Sequence, residues 1–382
     1  MLTGILSTCD QPLADHLVSL ARETGSLEFG RVLVREVHNY ELLRAVNGFE
    51  TDVVLLDFAD SEIATAQAKM LAAQAPQATR IGFHSKIAGW ADDNPLPEFV
   101  DAWLALPTEP KPWNDTLWRA VHRPNRPAAK PLYVFLPAKA GCGSTTVALH
   151  LADHYANEMG RQTILFDADL LSGLTAILLN IDPKYSLRDV LAQSTQIQPA
   201  LWTAAVQAAG RLHILCTNLD QSGPLPHWTD YWKLLRFASS RYDTIVVDLP
   251  ERINEATAAL VAEAERVVIV TTSELPALRL ARRRLMELGE RGVPQDRIRI
   301  VLNRWQRGDL EAPAVEDLLG LPVAGVLPNN YRAVQAAMET AGFVRPDSDL
   351  GRAFGRLAAH LAGIPERDDS GSHRSFFAKL RG

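Results

Sequence analysis

Over residues 1–121, short apolar runs alternate with stretches whose apolar positions recur at helical spacing. Residues 4–6, 31–34, 53–57, 80–83 and 102–106 read as strands, and 13–22, 41–46, 64–75 and 116–121 as helices. The pattern restarts beyond residue 131. There 133–136, 163–167, 212–215, 244–248, 266–271, 298–303 and 323–327 read as strands, with 146–159 as a long helix. Continuous apolar strands are buried on both faces. Strands alternating with helices imply parallel pairing with helices on either side. The expected fold class is therefore α/β, as two consecutive doubly wound units.

Between the two patterned regions lies a proline-rich hinge. Residues 121–131 hold three prolines and three Lys/Arg, which excludes a core element and favours an extended linker. The expected organisation is a first domain over 1–121, a linker over 122–131, a second domain over 132–364 and a polar, disordered tail over 365–382. A length of 382 residues fits two domains.

Composition narrows the function classes. A net charge of −6 gives no global field to draw the chain onto nucleic acid, so DNA is not the expected partner. Cys9, Cys142 and Cys216 form neither a metal-type pair nor a disulfide framework, which suits a reducing cytoplasm. The N-terminus lacks a basic region followed by an apolar core, so no export signal is expected. No apolar run approaches the roughly 20 residues that span a bilayer. Any membrane contact is expected to be peripheral.

The chemistry concentrates at Pro137-Ala138-Lys139-Ala140-Gly141-Cys142-Gly143-Ser144-Thr145-Thr146. Its place between a strand and a helix is that of a phosphate-binding loop, whose usual form is Gly, four free positions, then Gly-Lys-Ser/Thr. Gly141 and Gly143 let backbone N–H groups approach phosphate oxygens, and the helix N-terminus adds positive charge. Thr145 offers a hydroxyl to Mg²⁺ and Thr146 one to a phosphate. Ser144 stands where the lysine belongs. Asp167 and Asp169 end one strand and Asp248 another, so parallel pairing brings all three to one sheet edge. Asp167 and Asp248 are candidates to hold Mg²⁺ through its waters, and Asp169 to orient an attacking water.

Residues 139–146 resemble the deviant phosphate loop of the ParA/MinD ATPases, Lys-Gly-Gly-X-Gly-Lys-Thr-Thr. The resemblance spans about 131–362. It implies that Lys139 reaches across a nucleotide-sandwich homodimer to the partner's phosphates. Val301-Leu302-Asn303-Arg304 and Leu327-Pro328-Asn329-Asn330 resemble late segments around the adenine, which adds Asn303, Arg304 and Asn329 to the nucleotide site. ATP and Mg²⁺ are the implied cofactors. A small residue at 144 is a trait of one branch, the CpaE/TadZ proteins of Flp (tight-adherence) pilus assembly. That branch also carries a receiver-like domain ahead of the ATPase-like one. The implied function is an ATP-binding, dimerising localisation factor for pilus assembly with weak or absent hydrolysis, polar in the cell and peripheral at the inner membrane. The alternative is a cycling ParA/MinD-type ATPase that positions DNA or protein cargo.

The first unit resembles a response-regulator receiver. Asp57 ends the third strand, at the phosphoacceptor position. Asp10 matches one acid of the usual pair while Cys9 replaces the other, Ser85 follows the fourth strand, and Lys111-Pro112 resembles the Lys-Pro after the fifth. With one acid lost and the fourth helix weakly written around Ile87-Ala88-Gly89-Trp90, the unit reads as a degenerate receiver used for docking or dimerisation.

Two basic features complete the reading. Arg279, Arg282, Arg283 and Arg284 fall on one helix, which suits a solvated face as well as a phosphate backbone. At the C-terminus, Phe376, Phe377 and Leu380 share a helical face flanked by Arg374, Lys379 and Arg381. This is a short basic amphipathic segment of the type that rests on a membrane surface, with a partner-docking peptide or a frayed tail as the other readings.

Overall fold

The computed structural model describes residues 1–88, 95–122 and 130–364. Its contacts divide the chain into two compact units. One comprises Met1–Pro127 with Leu191–Ile197 and Leu225–Leu235; the other comprises Ala128–Val190, Gln198–Pro224 and Arg236–Gly382.

The first unit is built on β1 (Leu2–Thr8), β2 (Leu27–Val34), β3 (Val53–Asp57), β4 (Thr79–Phe83) and β5 (Ala102–Trp103). Their order is β2-β1-β3-β4-β5, with every pair parallel. This is the flavodoxin-type doubly wound order, which reverses between β1 and β3 and is compatible with a receiver-like domain. Helices Gln11–Thr24, Asn39–Gly48, Ser61–Gln74 and Pro110–Val121 accompany the sheet. The last starts earlier than the sequence pattern indicated because proline is well tolerated in a first helical turn. Among the described residues no helix separates β4 from β5. Gly89 and Trp90, central to the expected fourth helix, lie outside them. Val54, Leu56, Phe58, Ala68 and Leu71 form the middle of the core.

The second unit adds β6 (Leu132–Pro137), β7 (Thr163–Asp167), β8 (Gln207–Ala209), β9 (Leu212–Leu215), β10 (Thr244–Asp248), β11 (Arg266–Thr271), β12 (Ile298–Trp305) and β13 (Val323–Pro328). The sheet order is β13-β12-β11-β6-β10-β7-β9-β8. All pairs are parallel except β8 with β9, a tight hairpin that turns at Gly210 with φ +64°. β8 was not legible because Gln-Ala-Ala carries no apolar run.

β6 lies inside the sheet between β10 and β11, and the helix Ser144–Asp153 follows it. The helix loosens into a π-turn over His154–Glu158 instead of continuing as a plain α-helix to 159. Tyr133 and Phe135 of β6, Val147 and Leu151 of this helix, and Phe354 and Leu357 of the helix Asp349–Leu361 share one buried cluster. The helix Ser144–Asp153 is thus fixed between the sheet and the helix Asp349–Leu361. Among the described residues no helix is long and apolar enough to cross a membrane. Most of the expected linker, and Phe376, Phe377 and Leu380 of the tail, lie outside the described residues.

Candidate functional site

The chain leaves β6 at Pro137 and enters the helix at Ser144. Gly141 and Gly143 adopt φ +80° and +90°, in the left-handed region where glycine is strongly favoured. The first helical hydrogen bond runs from Val147 N–H to the Gly143 carbonyl at 3.0 Å. The N–H groups of Ser144, Thr145 and Thr146 therefore have no acceptor within the helix and present its positive end. Asn303, buried at the end of β12, donates Nδ2–H to the Cys142 carbonyl at 2.8 Å. A Cβ on Gly143 would stand 2.4 Å from that Nδ2. The Cys142 thiol donates to the Val270 carbonyl at 3.0 Å, and burial raises its pKa, so it anchors the loop as an inert group. Arg304 follows Asn303 with φ +57° and an exposed side chain, and Asn329 N–H donates to the Trp305 carbonyl at 2.8 Å. Asn303 is thereby brought against the loop, while Asn329 is tied by its backbone to the end of β12.

Asp167 and Asp248 meet as the strand ends require, while Asp169 lies in the turn just beyond β7. Asp248 and Asp167 are direct register neighbours on β10 and β7. Thr145 Oγ1 donates to Asp248 Oδ2 at 2.5 Å, which leaves its lone pairs available to a cation. Ser144 Oγ lies 3.4 Å from Asp248 Oδ1. Asp167 Oδ2 accepts Thr175 N–H at 3.1 Å, and its Oδ1 is buried with no hydrogen-bond partner. Burial, reinforced by the neighbouring Asp169 charge, pushes the Asp167 carboxyl up to about 6. Burial and the charge of Asp167 raise Asp248 well above the usual carboxylate range. Asp169 accepts Leu171 N–H at 3.2 Å, Ser172 N–H at 3.0 Å and the Ser172 hydroxyl at 2.6 Å, so it also closes the turn that follows β7. An orphaned buried oxygen, a second buried carboxylate and a threonine hydroxyl fit Mg²⁺, which binds one or two carboxylates, waters and phosphates. Lys139 is half-buried at the front of the loop, and no ion pair among the described residues includes it.

Residues 133–341 match the CobQ/CobB/MinD/ParA nucleotide binding domain, more than half of the chain. The chain belongs to this family. It is 26% identical to the septum site-determining protein MinD of Synechocystis over 264 residues, 65% of this chain and 97% of that one. With MinD of Thermotoga maritima the identity is 25% over 267 residues, 65% and 97% of the two chains. Among solved structures, a ParA family ATPase from Chlorobium tepidum superposes with a TM-score of 0.55 at 23% identity, covering 60% of this chain and 99% of that one. MinD of Pyrococcus horikoshii, complexed with Mg-ADP, gives 0.50 at 24% identity, covering 62% and 98%. These likenesses establish the ParA/MinD fold for the second unit.

Two features of this ParA/MinD-type unit escaped the sequence reading. His150 is buried on the phosphate-loop helix; its Nδ1 donates to the Thr146 carbonyl at 2.7 Å and its Nε2 accepts Val344 N–H at 3.0 Å. The ring stacks on Phe354 at 4.7 Å, and burial lowers its pKa from 6.5 to about 4. Glu251 accepts Ala140 N–H at 3.0 Å. The only sequence signal for Glu251 was its place just beyond Asp248.

The arginine cluster is smaller than its sequence indicated. Arg279, Arg282 and Arg283 are exposed on the helix Leu275–Glu290, but Arg284 turns inward, 7% exposed, and binds Glu287 at 2.7 Å and Glu251 at 3.3 Å. In the first unit, Asp57 accepts the Thr8 hydroxyl at 2.7 Å and the N–H groups of Ala59 and Ser85 at 3.0 and 3.1 Å. Asp10 accepts Leu13 N–H at 2.9 Å as the cap of Gln11–Thr24. Among the described residues no group of three or more His, Cys, Asp or Glu could hold a metal ion.

Proposed function

We propose that this ParA/MinD-family chain binds Mg-ATP and dimerises through it, hydrolyses it weakly or not at all, and acts as a localisation scaffold in Flp (tight-adherence) pilus assembly. The observation that carries the nucleotide half is Ser144. It is buried, and its hydroxyl faces Asp248 where the family pattern has a lysine. A lysine there would add a charge-assisted phosphate contact of about 1.5–3 kcal/mol and would neutralise charge that develops during phosphoryl transfer. Serine does neither.

Binding rests on the open amides of residues 144–146, the helix N-terminus and the hydroxyls of Thr145 and Thr146. Mg²⁺, when bound, neutralises phosphate charge; Thr145, Asp167 and Asp248 would hold it. Lys139, outside every ion pair among the described residues, is the residue for a partner's phosphates. The pilus partners and the polar cytoplasmic location follow from the CpaE/TadZ resemblance, and a peripheral inner-membrane contact through Phe376, Phe377 and Leu380 from the basic amphipathic pattern of the tail. The first unit serves as a docking or dimerisation module without phosphotransfer.

A cycling positioning ATPase is supported equally by the MinD relatives. It needs Lys139, Asp169 and Asp248 to suffice for catalysis. Steady-state turnover of wild type, Ser144→Lys and Lys139→Ala separates the two. The scaffold reading expects wild type near background and a gain in Ser144→Lys. Wild-type turnover well above background that disappears in Lys139→Ala selects the cycling enzyme.

A further inference from the structure

One short segment sets two carboxylates against the phosphate loop. Asp248 takes the hydroxyls of Thr145 and Ser144, a place that suits a cation ligand. Farther along the same segment, Glu251 Oε2 accepts the N–H of Ala140, the amide that follows Lys139. Its other oxygen, Oε1, lies 3.3 Å from Arg284 Nη2. Arg284 is itself buried, holds Glu287 with Nη1, and has an Nε buried without a hydrogen-bond partner. Just past the end of the same helix, Arg291 donates to the Ile253 carbonyl at 3.1 Å. The segment between β10 and Asn254 is thus gripped by the arginine-bearing helix on one side and rests on the loop at Glu251.

Backbone N–H groups of such a loop are the donors that receive phosphate oxygens. One of them is already taken by an anion that belongs to the chain. A carboxylate and a phosphate oxygen compete for the same donor, and two negative charges placed side by side repel.

We propose that Glu251 is a built-in competitor of nucleotide phosphate at the front of the loop, and that Arg284 is the counter-charge that receives it when phosphate displaces it. The proposal rests on the nucleotide-binding reading and deepens it by naming the residue that limits affinity. Glu251 has two positions: on Ala140 N–H without phosphate, and drawn fully onto the guanidinium, whose free Nε adds a donor, when phosphate is present. The helix Leu275–Glu290 thereby registers whether the loop is filled.

The test is equilibrium titration of the full chain with Mg²⁺ and a fluorescent ATP analogue, for wild type, Glu251→Gln and Glu251→Ala. Glu251 is 40% exposed at its side chain, so both variants are expected to fold. Both remove the competing charge and should tighten binding about tenfold, ~1.4 kcal/mol. Unchanged or weaker binding overturns the proposal, and Glu251→Gln decides if the two variants differ, because it keeps the side chain's size. Absence of binding in wild type and both variants overturns the nucleotide-binding reading and this proposal with it.

Discussion

At Gly143 two demands meet on one residue: φ of +90° and a neighbour, Asn303 Nδ2, 2.4 Å from where a Cβ would be. Gly143→Ala should cost about 2–3 kcal/mol, from the left-handed strain of alanine and the displaced Asn303–Cys142 hydrogen bond. Urea unfolding measures the loss, and Asn303→Ala should offset part of it in a double-mutant cycle because the clash is then relieved. Additive losses would mean that the two side chains do not collide. The glycine spacing and the strand-end aspartates were legible because backbone geometry and parallel pairing dictate both. Glu251 was not, since a glutamate in a loop carries no sequence mark of the amide it binds. Nor was the inward turn of Arg284, which depends on which helix face meets the segment after β10.

The helix Ser144–Asp153 carries the loop's chemistry at one end and His150 two turns along. His150 ties Thr146 to Val344, so the helix is locked to the segment that leads into Asp349–Leu361. Its imidazole titrates near 4 in the folded state against the usual 6.5. Between those values the unfolded chain binds more protons. The contribution is therefore complete above about 6.5 and is lost as pH falls toward 4, by about 3 kcal/mol in all. Urea midpoints across pH 4–7 should fall more steeply for wild type than for His150→Gln, which cannot titrate. Parallel profiles would remove His150 from this role. The buried strands were readable from their apolar runs, but the helices Trp228–Ser239, Glu255–Glu263 and Asp349–Leu361 were not singled out. The short pieces Thr175–Leu178, Leu187–Ala192 and Pro199–Ala205 were not, because a turn or two of helix shows too little periodicity and owes its form to packing.

In the chain as a whole, a degenerate-looking first unit precedes a ParA/MinD-type unit. Asp57 has its oxygens taken by Thr8, Ala59 and Ser85, and among the described residues no group of three or more His, Cys, Asp or Glu that could hold a metal ion stands beside it. Acetyl phosphate should therefore leave the chain unlabelled, and Asp57→Ala should destabilise it by about 1–3 kcal/mol through the donors left unpaired. Label that disappears in Asp57→Ala would restore phosphotransfer to this unit. In the second unit we propose that nucleotide binding is kept while hydrolysis is weak or absent, because Ser144, facing Asp248, stands where the family loop has a lysine. The nucleotide recovered from wild-type protein after prolonged incubation with Mg-ATP tests that division directly. Retained ATP, intact and stoichiometric, is the predicted result; bound ADP with released phosphate, or no bound nucleotide, would contradict it.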